Sequence, residues 1–198
     1  QFRAGLAGGV LLPGAPPGSG VPPLYAPDYD PIWSVCEELG MPVNHHSGSA
    51  VPELGDYAPA QAIFLLEVTW WAHRTLWHLI FSGVMDQHPD LQFVFTEQGT
   101  AWLPDELARL DYYHGRLAGA GGAAGSQEAK FGEAIGTLPL KPSEYWARQC
   151  QLGSSFIRRP EVQMRERVGV DRIMWGSDFP HLEGCWPYSR DHLRLAFA

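Results

Sequence analysis

Cysteine is scarce in this chain of 198 residues: Cys36, Cys150 and Cys185 are the only three, and no two share a CxxC spacing. An odd, scattered set excludes a disulfide framework and a thiolate zinc site, so each is expected to be a small buried residue. A basic surplus is also missing. The formal net charge is -8 and the Lys and Arg residues are dispersed, which argues against nucleic acid or an anionic membrane as the main partner. No apolar run approaches the roughly 20 residues that cross a bilayer, and the opening Gln1-Phe2-Arg3 has no leader pattern. A cytoplasmic location is the expectation. There is no initiator Met, and the chain stops after Leu193-Arg-Leu-Ala-Phe-Ala198 without a helix-ending signal, so a piece of a longer protein is expected.

What is present is an alternation of strand and helix signals in a chain that is 45% hydrophobic, enough for a sizeable core. Residues 8–12 read as a buried strand, followed by a Gly/Pro-rich loop over 13–27. Asp30-Pro31 starts a helix whose Ile32, Val35, Cys36 and Leu39 share a face up to Gly40. A strand over 41–45 follows. A long helical region spans 58–85, with Ile63, Leu66, Trp70, Trp77 and Phe81 at helical spacing. Pro89-Asp90 introduces a strand over 91–96, and Leu103, Pro104, Leu107 and Leu110 carry a helix towards His114. The Gly/Ala-rich stretch 115–136 predicts a flexible excursion. Beyond it come a strand over 146–152, a short helix over 160–168 and a strand over 171–175. Strands separated by helices imply a parallel sheet built from crossovers. Five strands, against the eight of a closed α/β barrel of typically about 250 residues, predict a (β/α)8 TIM-barrel-like fold that is incomplete, about its last five units, as a single domain over 1–198.

Three of these strands end in groups able to bind metal or move protons: His45 and His46, Glu97, and Asp178 with His181. In parallel α/β folds the carboxyl ends of all strands lie on one face, so these residues can converge across more than 100 positions. Imidazole nitrogen and carboxylate oxygen are ligands of a catalytic divalent metal such as zinc, and a nearby carboxylate can shuttle the proton. Neighbours on a strand point to opposite faces, so one histidine faces inward. His46, nearest the loop and Gly48, is favoured, with His45 a satisfied core residue. Each residue also has a plainer reading. Asp178 could cap a turn, Glu97 could pair with an arginine, and His181 could orient Asp178, bind a substrate carboxylate or close a turn. Trp102 and Trp186 are read as substrate-pocket walls or as core. His73, His78, His88, His114 and His192 lack ligand spacing and are taken as structural or exposed.

Gly-Ser-Asp-Phe-Pro-His at 176–181, with Trp186-Pro187 after it, resembles the final-strand signature of the amidohydrolase-related metal-dependent hydrolases that include aminocarboxymuconate semialdehyde decarboxylase. Pro-Val-Asn-His-His-Ser-Gly at 42–48 is similar to that family's fifth strand, and 89–99 with Trp102 to its sixth. The resemblance implies a mononuclear divalent site in a barrel, running hydrolysis or decarboxylation on a small carboxylate-bearing or cyclic substrate. It carries His46 over as a metal ligand and Asp178 as a ligand and base. Glu97 stands where well-characterised decarboxylases have a catalytic histidine, and a carboxylate donates a proton near neutral pH only when its pKa is raised. The family's first-strand His-x-His has no counterpart here. The alternative expectation is an inactive barrel fragment that binds at most a ligand. Exposed edge strands also predict poor stability or self-association, hence a possible homo-oligomer.

Overall fold

The computed structural model describes residues 8–118, 126–135 and 138–198. Its elements follow from local signals. Prolines occupy the first turn of α1 (Asp30–Glu38), α4 (Leu103–Leu117), α6 (Pro142–Gln149) and α7 (Arg159–Gln163), where a missing N–H costs nothing and φ is already helical. In α6 and α7 a glutamate three residues in reaches back. Glu144 accepts the Lys141 amide at 2.7 Å and Glu161 accepts the Arg158 amide at 2.9 Å, closing each helix start. The predicted helix over 58–85 is two helices, α2 (Ala60–Phe81) and α3 (Val84–Gln87), because Gly83 at φ 82° cannot continue the first. The predicted helix over 160–168 likewise divides at Met164 into α7 and α8 (Arg165–Val168).

The five strands are β1 (Val10–Leu11), β2 (Val43–His46), β3 (Phe93–Thr96), β4 (Cys150–Ser155) and β5 (Ile173–Gly176), paired in parallel in that order. Sequential order means that each crossover adds the next strand on the same side. This is the winding of a barrel and not of a sheet with a switch point. His46, Thr96, Gly153 and Met174 share one register row across β2 to β5. Gly153 is required there: a Cβ would lie 2.6 Å from Thr96 Cγ2.

One strand differs from its sequence expectation. Residues 146–149 belong to α6, and β4 begins only at Cys150. Tyr145 and Trp146 are buried as strand aromatics would be, but the Pro142 start and the Glu144 cap hold them on a helix, and packing decides over β propensity. Within the stretch predicted as a flexible excursion, α4 continues to Leu117 and Gln127–Ile135 form α5. Positions 119–125 and 136–137 of that stretch lie outside the described residues. The last helix, α9, runs over Ser189–Phe197.

The core sits between the sheet and its helices, around Trp33, Leu76, Ile80, Phe93, Phe95, Tyr145 and Leu152. Phe95, at the middle of the sheet, is flanked by His45 at 6.3 Å and Trp146 at 6.0 Å between ring centroids. Cys36 and Cys150 are buried free thiols, while Cys185 is half-buried. Asp111 fastens α4 to α6 by accepting the Ser143 amide at 2.9 Å and the Ser143 hydroxyl at 2.6 Å. Asp111→Ala is expected to lower the free energy of unfolding by about 1–2 kcal/mol, read as a lower urea midpoint at unchanged slope. An unchanged midpoint would show the cap to be dispensable.

Candidate active site

The carboxyl ends of β2, β3 and β5 bring four of the predicted residues into contact. His45 and His46 divide as alternating strand positions must. His45 is buried, with Nδ1 donating to the Leu12 carbonyl at 3.0 Å and Nε2 accepting the Thr75 hydroxyl at 2.6 Å. Burial pushes its pKa down to about 4, so it stays neutral. His46 is half-exposed. Its Nδ1 donates to the Ser47 carbonyl at 2.8 Å, and its Nε2 lies 3.1 Å from Glu97 Oε2.

Glu97 directly follows β3 and Asp178 lies two residues past β5, and both have left-handed backbones at φ 54° and 57°. Such conformations cost non-glycine residues on the order of 1–3 kcal/mol and persist where surrounding structure enforces them, commonly at functional sites. The Glu97 amide is held by the Gly153 carbonyl at 3.0 Å. Asp178 Oδ2 accepts His181 Nδ1 at 2.6 Å, and a second hydrogen bond joins Asp178 to Glu97. Burial raises the Glu97 pKa, and the Asp178 carboxylate raises it further. For Asp178, burial is outweighed by the hydrogen bonds from Glu97 and His181, so its pKa falls. Glu97 therefore keeps the proton of the pair. His181, hydrogen-bonded to Asp178, has a raised pKa. Neither Glu97 nor Asp178 takes the plainer role open to it from sequence: Glu97 meets His46 and Asp178, not an arginine, and the Asp178 carboxylate bonds side chains.

Because His46 Nδ1 spends its proton on Ser47, its Nε2 lone pair faces an oxygen lone pair of Glu97. Two acceptors at 3.1 Å need a positive charge beside them, either a proton or a metal ion. The donor chemistry suits a divalent cation. Glu97, Asp178 and His181 offer ligand atoms all within 4.8 Å of one another, with His46 alongside. Thiolate is not involved, since Cys185 Sγ lies against the Ser177 carbonyl and the Ser189 hydroxyl.

A cavity of about 820 Å³ opens beside this cluster and meets it at Glu97. Trp102 forms part of its wall, stacked on His73 with ring centroids 3.8 Å apart. His73 donates from Nε2 to the Gln98 carbonyl at 2.8 Å, and burial takes its pKa down to about 4. Trp186 does not line the cavity; it is exposed and lies against Phe179 at 5.1 Å. Sequence reasoning passed over several residues that do line it: His73, His192, Arg158, Glu161 and Cys185. Buried Glu161 accepts the Thr100 amide at 2.9 Å as well as that of Arg158, so it ties the loop after β3 to the loop after β4. The misplaced start of β4 hid this fourth strand end. With the strand set at 150–155, Arg158 and Glu161 fall on the same side of the sheet as the others.

A family model described as amidohydrolase matches residues 3–198. The chain belongs to the amidohydrolase family. It is 32% identical over 189 residues to the gamma-resorcylate decarboxylase of Rhizobium sp. (strain MTP-10005), covering 89% of this chain and 52% of that protein. This amidohydrolase chain thus spans about half the length of the curated relatives it matches. Among solved structures it resembles an amidohydrolase of Mycobacterium avium subsp. paratuberculosis K-10, with a TM-score of 0.68, 25% identity, and coverage of 98% of this chain and 48% of that one. It also shares the fold of a dihydroxybenzoic acid decarboxylase of Polaromonas sp. JS666 solved with manganese and 2-nitroresorcinol, with a TM-score of 0.64, 18% identity, and coverage of 100% and 57%. The five parallel strands are accordingly part of a TIM-barrel amidohydrolase fold and match about half of it.

Proposed function

We propose that this amidohydrolase chain carries the metal-binding and proton-delivering residues of a decarboxylase acting on a small aromatic carboxylate. The sequence left hydrolysis and decarboxylation open. The observation that carries the reading is the contact chain from His46 through Glu97 to Asp178 and His181, together with relatives named as decarboxylases of aromatic acids. His46 and Asp178 hold the cation in this reading. Zinc was the ion expected from the sequence; a set of carboxylate oxygens with one imidazole suits a harder ion equally well, and manganese is what the Polaromonas structure contains.

A bound divalent cation supplies Lewis-acid polarisation of a substrate carboxylate or phenolate oxygen. The remaining work falls to side chains of this chain. The face of Trp102 offers a flat apolar wall for an aromatic ring. Arg158, the one arginine or lysine that lines the cavity among the described residues, attracts the substrate's negative charge. Glu97, whose pKa burial and the Asp178 carboxylate raise, is the group that gives a proton to the ring carbon that bears the carboxylate. The bond to that carboxylate then breaks, its electron pair restores the ring, and carbon dioxide leaves. Asp178 holds the Glu97 proton in position beforehand, and His181 holds Asp178.

The test is calorimetric titration with manganese, paired with carbon dioxide release from 2,6-dihydroxybenzoate. Asp178→Asn is expected to weaken manganese binding by at least roughly 10–100-fold and to lower release in step. Protein that binds no divalent metal, or an Asp178→Asn variant indistinguishable from the parent, would reject the reading. Metal binding without carbon dioxide release would instead support a ligand-binding remnant.

A further inference from the structure

Among the described residues, four that are not glycine have a left-handed backbone: Ala50, Glu97, Phe156 and Asp178. Glu97 and Asp178 belong to the site, and buried Ala50 does not line the cavity. Phe156 directly follows β4 as Glu97 directly follows β3, and its φ of 55° matches the 54° of Glu97. Glycine or asparagine adopts this conformation readily. A bulky aromatic does so only where the surrounding structure holds it, and such residues gather at functional sites. Three neighbouring strands thus end in the same backbone turn. Two of those turns carry Glu97 and Asp178, and the third puts a phenylalanine ring in the wall of the cavity that Glu97 lines.

Core packing does not account for Phe156, which is half-buried and lies outside both apolar clusters. The next residue, Ile157, is buried against Val162 and Ala196, and Arg158 then returns to the cavity wall. This alternation is that of an extended chain, and Arg158 is extended at φ -104° and ψ 161°. One loop therefore presents an apolar ring and a guanidinium to the same cavity, roughly 7 Å apart along the backbone, the scale of an aromatic ring with its carboxylate. The loop is also held in place. Glu161 accepts the Arg158 amide at 2.9 Å and the Thr100 amide at 2.9 Å.

We propose that Phe156 is a specificity-determining residue that selects a flat aromatic ring over an aliphatic one, its ring packing on the substrate while Arg158 meets the carboxylate. This rests on the reading of the cavity as a site for aromatic carboxylates. Trp102 has one face of its indole covered by His73, at 3.8 Å between ring centroids, so it offers a bound ring a single face. Phe156, from the adjacent strand end, supplies a second aromatic contact, and aromatic pairs gain beyond the area they bury.

The test is calorimetric titration of the chain, with manganese present, against benzoate and against cyclohexanecarboxylate, which carry the same charge and the same number of carbons but differ in flatness. Benzoate is expected to bind roughly 3–10-fold more tightly, the worth of one aromatic pair. Phe156→Leu and Phe156→Gly should both erase that preference, and Phe156→Tyr should keep it. Leucine retains apolar bulk and glycine accepts the left-handed backbone without cost, so the two variants fail for different reasons if they fail to fold, and far-ultraviolet circular dichroism checks each. A parent that binds neither acid, or binds both equally, would overturn the proposal. So would a preference that survives removal of the ring or disappears with the ring kept. Binding is read here and not turnover. Selective uptake of benzoate without carbon dioxide release from 2,6-dihydroxybenzoate would refute decarboxylation and leave the role of Phe156 standing, whereas carbon dioxide release with an undiminished preference in Phe156→Leu would do the reverse.

Discussion

Glu97→Gln is expected to reduce turnover of an aromatic carboxylate by about 10²–10⁴-fold, the usual effect of removing a positioned proton donor. The substitution keeps the size of the side chain and can still donate a hydrogen bond to Asp178, so the cluster should hold its shape. What it removes is the transferable proton of the proposed donor, whose pKa is raised by burial and by the Asp178 carboxylate. Measured at saturating manganese, the loss should appear in kcat with KM nearly unchanged. The competing role is that of a metal ligand alone. In that case Glu97→Gln would bind manganese more weakly but recover parental kcat once the metal is saturating, and that recovery would refute the proton-donor role.

Acid should destabilise the fold well before its carboxylates titrate. Burial pushes His73 and His78 down to about 4 from an ordinary value of 6.5, with the nearby Arg74 charge adding to the effect on His78 and the Glu106 charge partly opposing it on His73. Both are neutral in the folded chain, whereas the unfolded chain takes up their protons as soon as pH drops below about 6.5. A depressed folded-state pKa contributes stability that is fully present above the unfolded value and is lost as pH falls towards the folded value. The window is therefore about pH 6.5 down to about 4. At about 1.4 kcal/mol per unit of pKa difference, discounted for the part-exposed His78, the loss should reach a few kcal/mol. Urea midpoints at about pH 7 and about pH 4.5 would show it, and His78→Gln should flatten part of the slope. Equal midpoints at the two pH values would contradict the assignment.

His45 and His46 show how far pattern reasoning carries. Strand alternation predicts that the two histidines face opposite sides of the strand, and proximity to the loop favoured His46 for the candidate site. The structure puts His46 against Glu97 and closes His45 between Leu12 and Thr75. The aromatics were harder to read. Trp102 and Trp186 look alike in sequence, but Trp102 leans on buried His73 in the cavity wall while Trp186 lies outside with Phe179. Which surface an aromatic meets is a non-local fact. His73 and His192 could not be found from spacing, because each reaches the cavity from a helix without a partner at i+3 or i+4.

Local chemistry sufficed for the parallel alternation, for the helix starts at Pro31, Pro104, Pro142 and Pro160, and for the placement of His46, Glu97 and Asp178 at strand ends, since each depends on neighbours a few residues away. Two things depended on the assembled chain. One is the start of β4, where a proline and a glutamate cap turned strand-like aromatics into a helix. The other is the fate of Ile63, Leu66 and Trp70 on α2, whose helical spacing alone does not say that all three are exposed. Burial and proton sharing arise from contacts between residues distant in sequence. The raised pKa of Glu97 and the solvent exposure of Leu66 therefore become visible only once the strands and helices are set side by side.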